Sequence, residues 1–368
     1  MGNALSARTA EATAAEVFGL ARPEATIVSG GRVNHTFRID SQGRQYILQR
    51  LSDFFNGDEA VAVNWLRVYQ ALAERGSGPP PMPEIRPDAS GRYLAPGPDG
   101  GFWRLTGFVE GRPALMTAEG AFSAARLLGR MHGLLNSPLP VELLSLPEGD
   151  FTNRHFTTPD EMGLIFSHYR GHPRLEELKG LIEEALEAAM FLPPRPELLA
   201  VFSHQAVVIH CDPKADNFLF DASGQAVCLL DWDTVCLGHS LIDLAEMMRS
   251  WGIPGRGKDF EPNWDNLAAI VRGYAASGQV IEDFELELMS AVLRGIVLNL
   301  CRRYLTDALA EAYFQLDPKR FETLYDQNRA KAQSMLALAD YLLDNEMALS
   351  ELFARAYEQG RRELPESV

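Results

Sequence analysis

Cysteine is scarce in this chain of 368 residues: only Cys211, Cys228, Cys236 and Cys301 occur, and no two form a CxxC pair. Four cysteines over such a length do not make the disulfide framework of a small secreted domain, and three of them sit in apolar runs that read as core. The pattern points to free thiols and a reducing, cytoplasmic setting. Positive charge is also in deficit, with 34 Lys plus Arg against 50 Asp plus Glu and a formal net charge of −16. A domain that grips nucleic acid presents a basic surface to the phosphates, so the sign argues against a nucleic-acid partner. Long apolar runs are missing too. The N-terminal stretch MGNALSARTAEATAAEVFGLA mixes Arg and Glu into its apolar residues and reads as an amphipathic helix rather than a leader. The stretch near Ala291 to Cys301 is broken by Arg294 and Asn299 and is too short to span a bilayer, so no membrane partner is expected.

What is present suits a folded protein. Hydrophobic residues make up 46%, ample for one large unit or two packed lobes. Ala25 to Val28 and His35 to Asp40 alternate like strands around the loop Ser29 to Asn34, and Gln45 to Leu51 follows after a Gly turn. A helix with Asp58 as its cap carries apolar residues at Val61, Trp65, Leu66, Tyr69 and Leu72. The Pro- and Gly-rich segment 76–101 encloses a short strand around Arg92 to Leu94. Phe102 to Glu110 completes about five strands. Beyond Pro113 the period becomes helical over Ala118 to Leu135, Leu175 to Met190, Leu241 to Trp251, Trp264 to Ala276, Phe284 to Leu309, Pro318 to Asp344 and Met347 to Leu364. Strands first and helices later describe an α+β protein of two lobes, 1–109 and 110–368.

The helices are interrupted by VVIHCDPKADNFLFDASGQAVCLLDWDTV, whose short apolar runs Val207 to Ile209, Phe218 to Phe220 and Ala226 to Leu230 place polar residues at strand ends. Transfer of a γ-phosphoryl group to a hydroxyl needs a carboxylate to orient the hydroxyl and accept its proton. It also needs cations to offset charge on the phosphate oxygens. Asp212 supplies the carboxylate, and Lys214 can point the same way toward the phosphate. Asn217 and Asp231 offer one neutral and one charged oxygen to a Mg2+ ion, which takes few protein ligands.

These residues carry a resemblance. His210-Cys211-Asp212-Pro213-Lys214-Ala215-Asp216-Asn217 resembles the catalytic loop of kinases, H-x-D-x-K-x-x-N. Leu230-Asp231-Trp232-Asp233 is similar to the magnesium segment of the aminoglycoside phosphotransferase and choline kinase superfamily, and His239 to Ala245 to the next helix, whose aspartate braces the loop. The resemblance implies a protein-kinase-like two-lobed fold with a small antiparallel sheet and a large helical lobe. It implies ATP and Mg2+ as cofactors, and His210 as a structural rather than an acid–base residue. ATP would then be held by Gly30, Gly31 and Asn34 of the strand–turn–strand loop, whose backbone amides approach phosphate. The adenine edge would meet Phe108 and Val109. The strand Tyr46 to Arg50 lies where kinases carry a phosphate-pairing lysine, yet it has none. Arg50 is the cation left, Gln49 takes its place if the register slips by one, and Glu59 is the candidate partner.

GGRVNHTFRI, YILQRLSDFFNGDEAV, Asp231-Trp232-Asp233-Thr234-Val235, Arg303-Tyr304-Leu305-Thr306-Asp307 and Tyr313-Phe314 are similar to stretches of the N-acetylhexosamine 1-kinases. Cys211, Trp232 and the spacing to Tyr313 depart from that pattern. The resemblance implies a sugar acceptor phosphorylated at its anomeric hydroxyl, with Asp233, Arg303, Asp307 and Tyr313 toward the substrate. Asp233 is equally placed to hydrogen-bond its own loop, and the run CRRYLTDALA can pack as a helix with a charged outer face. Two other readings stay open. One is a kinase of an amino alcohol, homoserine or an aminoglycoside, and the other an ATP-binding pseudokinase that serves as an interaction module. Carboxylates facing the Asp212 cleft would favour a cationic acceptor, mixed Arg and Tyr a neutral sugar.

Overall fold

The computed structural model describes residues 6–28, 34–52, 58–144, 158–193, 206–253 and 262–364, so the phosphate-loop candidates Gly30 and Gly31 lie outside it. The N-terminal part is an antiparallel sheet of β1 (Glu24–Ile27), β2 (His35–Ser41), β3 (Arg44–Arg50), β4 (Ile85–Arg86), β5 (Ala95–Pro96) and β6 (Phe102–Gly107). Its path runs β1-β2-β3-β6-β4, with β5 also on β6. Between β2 and β3, Gln42 and Gly43 both take positive φ, 49° and 76°. Two such residues make the hairpin turn whose twist matches that of the flanking strands.

Alternation along the strands gives the sheet two faces. Phe37, Ile39, Tyr46, Leu48, Trp103 and Leu105 are buried beneath Ala10 and Ala14 of α1 (Ala7–Glu16). The opposite face looks toward α2 (Glu59–Arg75), whose Trp65 is buried. Asp58 caps α2 as the sequence suggests, its side chain accepting from the Ala60 amide at 2.9 Å.

The second part is mainly helical. It comprises α3 (Ala118–Asn136), α4 (Pro159–His168), α5 (Leu175–Met190), α6 (Ser240–Trp251), α7 (Trp264–Ala275), α8 (Asp283–Ala310), α9 (Leu324–Asp344) and α10 (Glu346–Arg362). α8 is buried on most sides from Leu286 to Leu309, with α5, α6, α9 and α10 around it. Two small sheets sit among these helices. β7 (Arg112–Pro113) joins β9 (Phe218–Phe220) and β10 (Ala226–Leu229), while β8 (Val207–Ile209) pairs with β11 (Cys236–Gly238). An antiparallel sheet followed by a mostly helical part is the α+β class read from the sequence.

Several boundaries differ from the sequence reading. No strand forms over Arg92 to Leu94, because Asp88 takes hydrogen bonds from the amides of Ser90 and Arg92 and from the Arg92 guanidinium, holding a turn. The strand is Ala95–Pro96 instead, and β6 stops at Gly107 rather than reaching Glu110. α9 begins at Leu324 rather than near Pro318, where Thr323 supplies the cap by accepting from the Asp326 amide at 3.0 Å. α4 escaped the periodicity reading, although Thr158 and Glu161 form a reciprocal capping box at its start. All four cysteines are free, and the sulfurs of Cys211 and Cys236 lie 3.6 Å apart. Among the described residues no helix is long and apolar enough to cross a membrane.

Candidate active site

The loop after β8 owes its shape to a single buried carboxylate. Asp243, on α6 and fully buried, accepts the His210 amide at 2.8 Å and the Cys211 amide at 2.7 Å. Its Oδ2 also pairs with His132 Nε2 at 2.9 Å, and His132 Nδ1 meets the Tyr274 hydroxyl at 2.9 Å. Burial alone would raise the Asp243 carboxyl, but His132 and the bond from His210 hold it below the usual range. Cys211 takes a positive φ of 73°, and this bend turns the next residue, Asp212, outward.

His210 is buried and locked in place. Its Nε2 faces the Leu230 carbonyl at 2.9 Å, its Nδ1 accepts the Asp212 amide at 3.2 Å, and its ring stands edge-on to Trp232. Burial lowers its pKa, which keeps it a neutral strut. Asn217 Nδ2 donates to the Asp212 carbonyl at 2.8 Å, and the Asn217 carbonyl accepts the Leu230 amide at 2.8 Å. The hairpin of β9 and β10 thus carries Asp231 back beside the loop.

The charged groups meet there. Lys214 Nζ and Asp212 Oδ2 form an ion pair with both side chains part-exposed. Burial would lower the Lys214 pKa, but the carboxylates of Asp212 and Asp231 raise it. Asp231 sits in the left-handed region at φ 63°. Burial, then the Asp233 charge, pushes its carboxyl up to about 6. Among the described residues, nothing donates to the Asp231 carboxylate or to Asn217 Oδ1. One charged and one neutral oxygen without donors fit a hard divalent cation, which binds oxygen and needs few protein ligands. No cluster of three or more His, Cys, Asp or Glu able to hold a metal occurs among the described residues, so a cation here would complete its shell with water and phosphate.

The facing wall comes from the sheet. Gln49 and Arg104, opposite each other on β3 and β6, share the α2 face. Arg104 is fully buried, with Nη2 on Gln49 Oε1 at 2.7 Å, Nη1 on Asp233 Oδ1, and its guanidinium 4.3 Å from the Trp65 ring. Asn34 Nδ2 donates to Asp233 Oδ2 at 3.1 Å and Asn34 Oδ1 accepts the Ser52 amide at 2.9 Å.

Against the sequence-derived candidates, Asp212, Lys214, Asn217 and Asp231 come together. Asp233 faces Arg104 and Asn34 rather than open space. Gln49 lies on the cleft face and Arg50 on the other, where it pairs with Asp99 at 2.9 Å. Glu59 is exposed and forms no ion pair among the described residues, so the anticipated Arg50–Glu59 pair is not made. Phe108 and Val109 follow β6 directly, with Phe108 exposed.

On the far side, the half-buried Arg249 pairs with Glu246, its Nη2 3.2 Å from Glu246 Oε1. Burial opposes its charge and Glu246 favours it; the smaller charges acting on it are those of Asp212 and Tyr304. Tyr304 stacks on Phe314 at 4.5 Å, and Arg303 lies over the Tyr313 ring at 4.9 Å. The resemblance places Asp307 toward the substrate, with packing of its helix as the alternative. Its oxygens instead accept the amides of Ala312 at 2.9 Å, Tyr313 at 2.7 Å and Phe314 at 3.0 Å, plus Asn328 Nδ2 at 2.9 Å, so it holds the loop that bears the aromatic pair. Sequence reasoning missed Arg104, Glu246 and Arg249. The available signal for Arg104 was a charge at an inward position of the apolar strand FWRLTG.

The family model described as the phosphotransferase enzyme family matches residues 24–277. No curated protein matches the chain. Among solved structures it is similar to the microcompartment-associated aminopropanol kinase at 15% identity and TM-score 0.62, covering 92% of this chain and 98% of that one. It is similar to amicoumacin kinase in complex with AMP-PNP, Ca2+ and Ami at 14% identity and TM-score 0.61, covering 92% and 94%. It is also similar to a choline/ethanolamine kinase family protein from Mesorhizobium loti at 18% identity and TM-score 0.55, covering 96% and 98%.

Proposed function

Since the chain belongs to the phosphotransferase enzyme family and is a small-molecule kinase of that group, we propose that it transfers the γ-phosphoryl group of ATP to the anomeric hydroxyl of an N-acetylhexosamine or related sugar. The observation that carries this reading is the part-exposed Asp212–Lys214 pair beside two cation-ready oxygens, Asn217 Oδ1 and an Asp231 carboxylate. Residues 1–109 bind the nucleotide, and 110–368 carry the base and the acceptor site. Asp212 orients the hydroxyl and takes its proton, and Lys214 turns from Asp212 to the transferring phosphate. Asn217 and Asp231 would hold a Mg2+ ion, which supplies neutralising charge to the phosphate oxygens. Transfer is in line and direct, with no phosphoenzyme. The use of ATP is supported by amicoumacin kinase, similar in fold and seen with AMP-PNP. Four free thiols favour a reducing cytoplasm.

The acceptor class rests on the resemblance of Arg303 to Asp307 and of Tyr313-Phe314 to the N-acetylhexosamine 1-kinases. Tyr304, Tyr313 and Phe314 form an aromatic cluster there, and Arg303 and Lys331 lie over its rings. Cations there repel an ammonium acceptor and donate to hydroxyls and carbonyls. The alternative of an amino alcohol, homoserine or aminoglycoside acceptor rests on names among the similar structures, notably the aminopropanol kinase.

The test is magnesium-dependent ADP release across N-acetylglucosamine, N-acetylgalactosamine, plain hexoses, homoserine, choline and aminoglycosides. Stimulation by one sugar, with an acid-labile anomeric phosphate as product, is the expected outcome. Stimulation by an amine alone would transfer the protein to the second reading. ATP binding without turnover on any acceptor would favour a pseudokinase.

A further inference from the structure

Arg104 is a buried charge that transfer itself does not use. A guanidinium withdrawn from water is tolerated only where its partners are fixed, and removing one partner leaves the other charge stranded. Here those partners sit in both parts of the molecule. Gln49 belongs to β3 of the N-terminal sheet, Trp65 to α2, and Asp233 to the short turn Trp232–Thr234 that follows β10. Asp233 is itself only 3% exposed, and its second oxygen is taken by Asn34 at 3.1 Å. Both carboxylate oxygens are therefore held from the N-terminal sheet side.

Asp231 lies two residues before Asp233, in a left-handed backbone conformation disfavoured for any residue with a Cβ. Such a conformation persists where its surroundings over-determine it. On one flank the Leu230 amide is tied to the Asn217 carbonyl at 2.8 Å. On the other, the Asp233 side chain is the tether to the N-terminal sheet, while the Trp232 indole on the Leu229 carbonyl and the Thr234 hydroxyl on the His210 carbonyl, each at 2.9 Å, tie the turn to its own part. No lysine occurs before Lys179, so arginines are the only strong cations of the N-terminal part, and among the described residues Arg104 is the one paired with this loop.

We propose that Arg104 is a positioning residue for the cation site. Through Asp233 it sets the turn that aims the Asp231 carboxylate, and divalent-ion binding at Asp231 thus depends on a guanidinium from the opposite side of the cleft. The inference rests on the phosphotransferase reading of the site. It differs in kind from a direct phosphate contact, because two of the guanidinium nitrogens already have acceptors.

The experiment measures Mn2+ affinity by electron paramagnetic resonance, with ATP present, for the full chain and for R104M, R104K and D233N, alongside the melting temperature of each without metal. Outer-shell partners of a metal ligand typically contribute about 10- to 100-fold in affinity. R104M and D233N are expected to weaken Mn2+ binding by at least about tenfold, with R104K recovering part of it because a cation again faces Asp233. A purely structural role would lower melting temperatures and leave the affinity of the folded variants unchanged; that result overturns the proposal. If R104M does not fold, wild-type affinity in D233N overturns it equally. Failure of the unmodified chain to bind Mn2+ with ATP would instead reject the phosphotransferase reading itself, a separate outcome.

Discussion

Substitution of Asp212 by asparagine is expected to lower turnover by roughly 10²–10⁴-fold, the usual contribution of a positioned general base. The carboxylate is part-exposed at the tip of a loop whose backbone is fixed by other groups: Asp243 holds the two preceding amides, and Asn217 takes the Asp212 carbonyl. Asparagine has nearly the same volume and leaves those bonds alone. Nucleotide affinity and melting temperature should therefore stay close to those of the parent, and the loss should appear in kcat. An amide cannot accept the hydroxyl proton, nor can it pair electrostatically with Lys214, so the ammonium is freed for the phosphate without restoring the reaction. Steady-state kinetics beside a nucleotide titration separate the two quantities. Near-normal turnover would show that Asp212 is not the base.

The largest effect on the fold is expected from Asp243→Asn. Asp243 Oδ1 accepts the Cys211 amide, while Oδ2 accepts the His210 amide and meets His132. Whichever way the new side-chain amide turns, its NH2 confronts at least one N–H donor, in a site closed to water. Breaking a buried charged network of this kind costs about 3–5 kcal/mol. A urea titration should show the midpoint falling by the corresponding amount, and activity should fall as well because the backbone before Asp212 loses its anchor. The effect carries a pH signature. The Asp243 carboxyl is held below its ordinary 3.8, so its contribution is complete above that value and is withdrawn as pH falls below it. The stability gap between parent and variant should narrow in acid. A gap independent of pH would mean that packing, not the carboxylate, stabilises the loop.

Much of this was legible in the chain. The spacing from Asp212 through Lys214 and Asn217 to Asp231 is local, because it lies within one loop and hairpin, and the structure brings the four together. The long helices were legible because their apolar period is a property of each segment alone. What failed depended on partners far away in sequence. Arg50 and Gln49 differ by one position, and only the pairing of β3 with β6 decides which faces the cleft. That pairing also brings in Arg104, a residue with no motif around it. Asp307 looked like a substrate ligand because its neighbours did, yet its role follows from a chain reversal at Glu311, where φ is 50°, that sends three amides back toward it. Strands of two residues such as β5 and β7 carry too little pattern to be read.

The unpaired sulfurs give the protein a built-in record of its own opening. Burial pushes the thiols of Cys228 and Cys301 up to about 12 and raises that of Cys211 well above its ordinary value, so none of the three is a thiolate at neutral pH. Cys236 alone is half-buried. An alkylating reagent meets little beyond Cys236 in the closed molecule and all four sites in the open chain. Modification of Cys211, Cys228 and Cys301 therefore accrues only at the frequency with which the helical part comes apart. Because Cys211 stands next to Asp212 and Cys301 lies within α8, the relative rates of those two sites tell whether the loop bearing Asp212 loosens before the core or together with it.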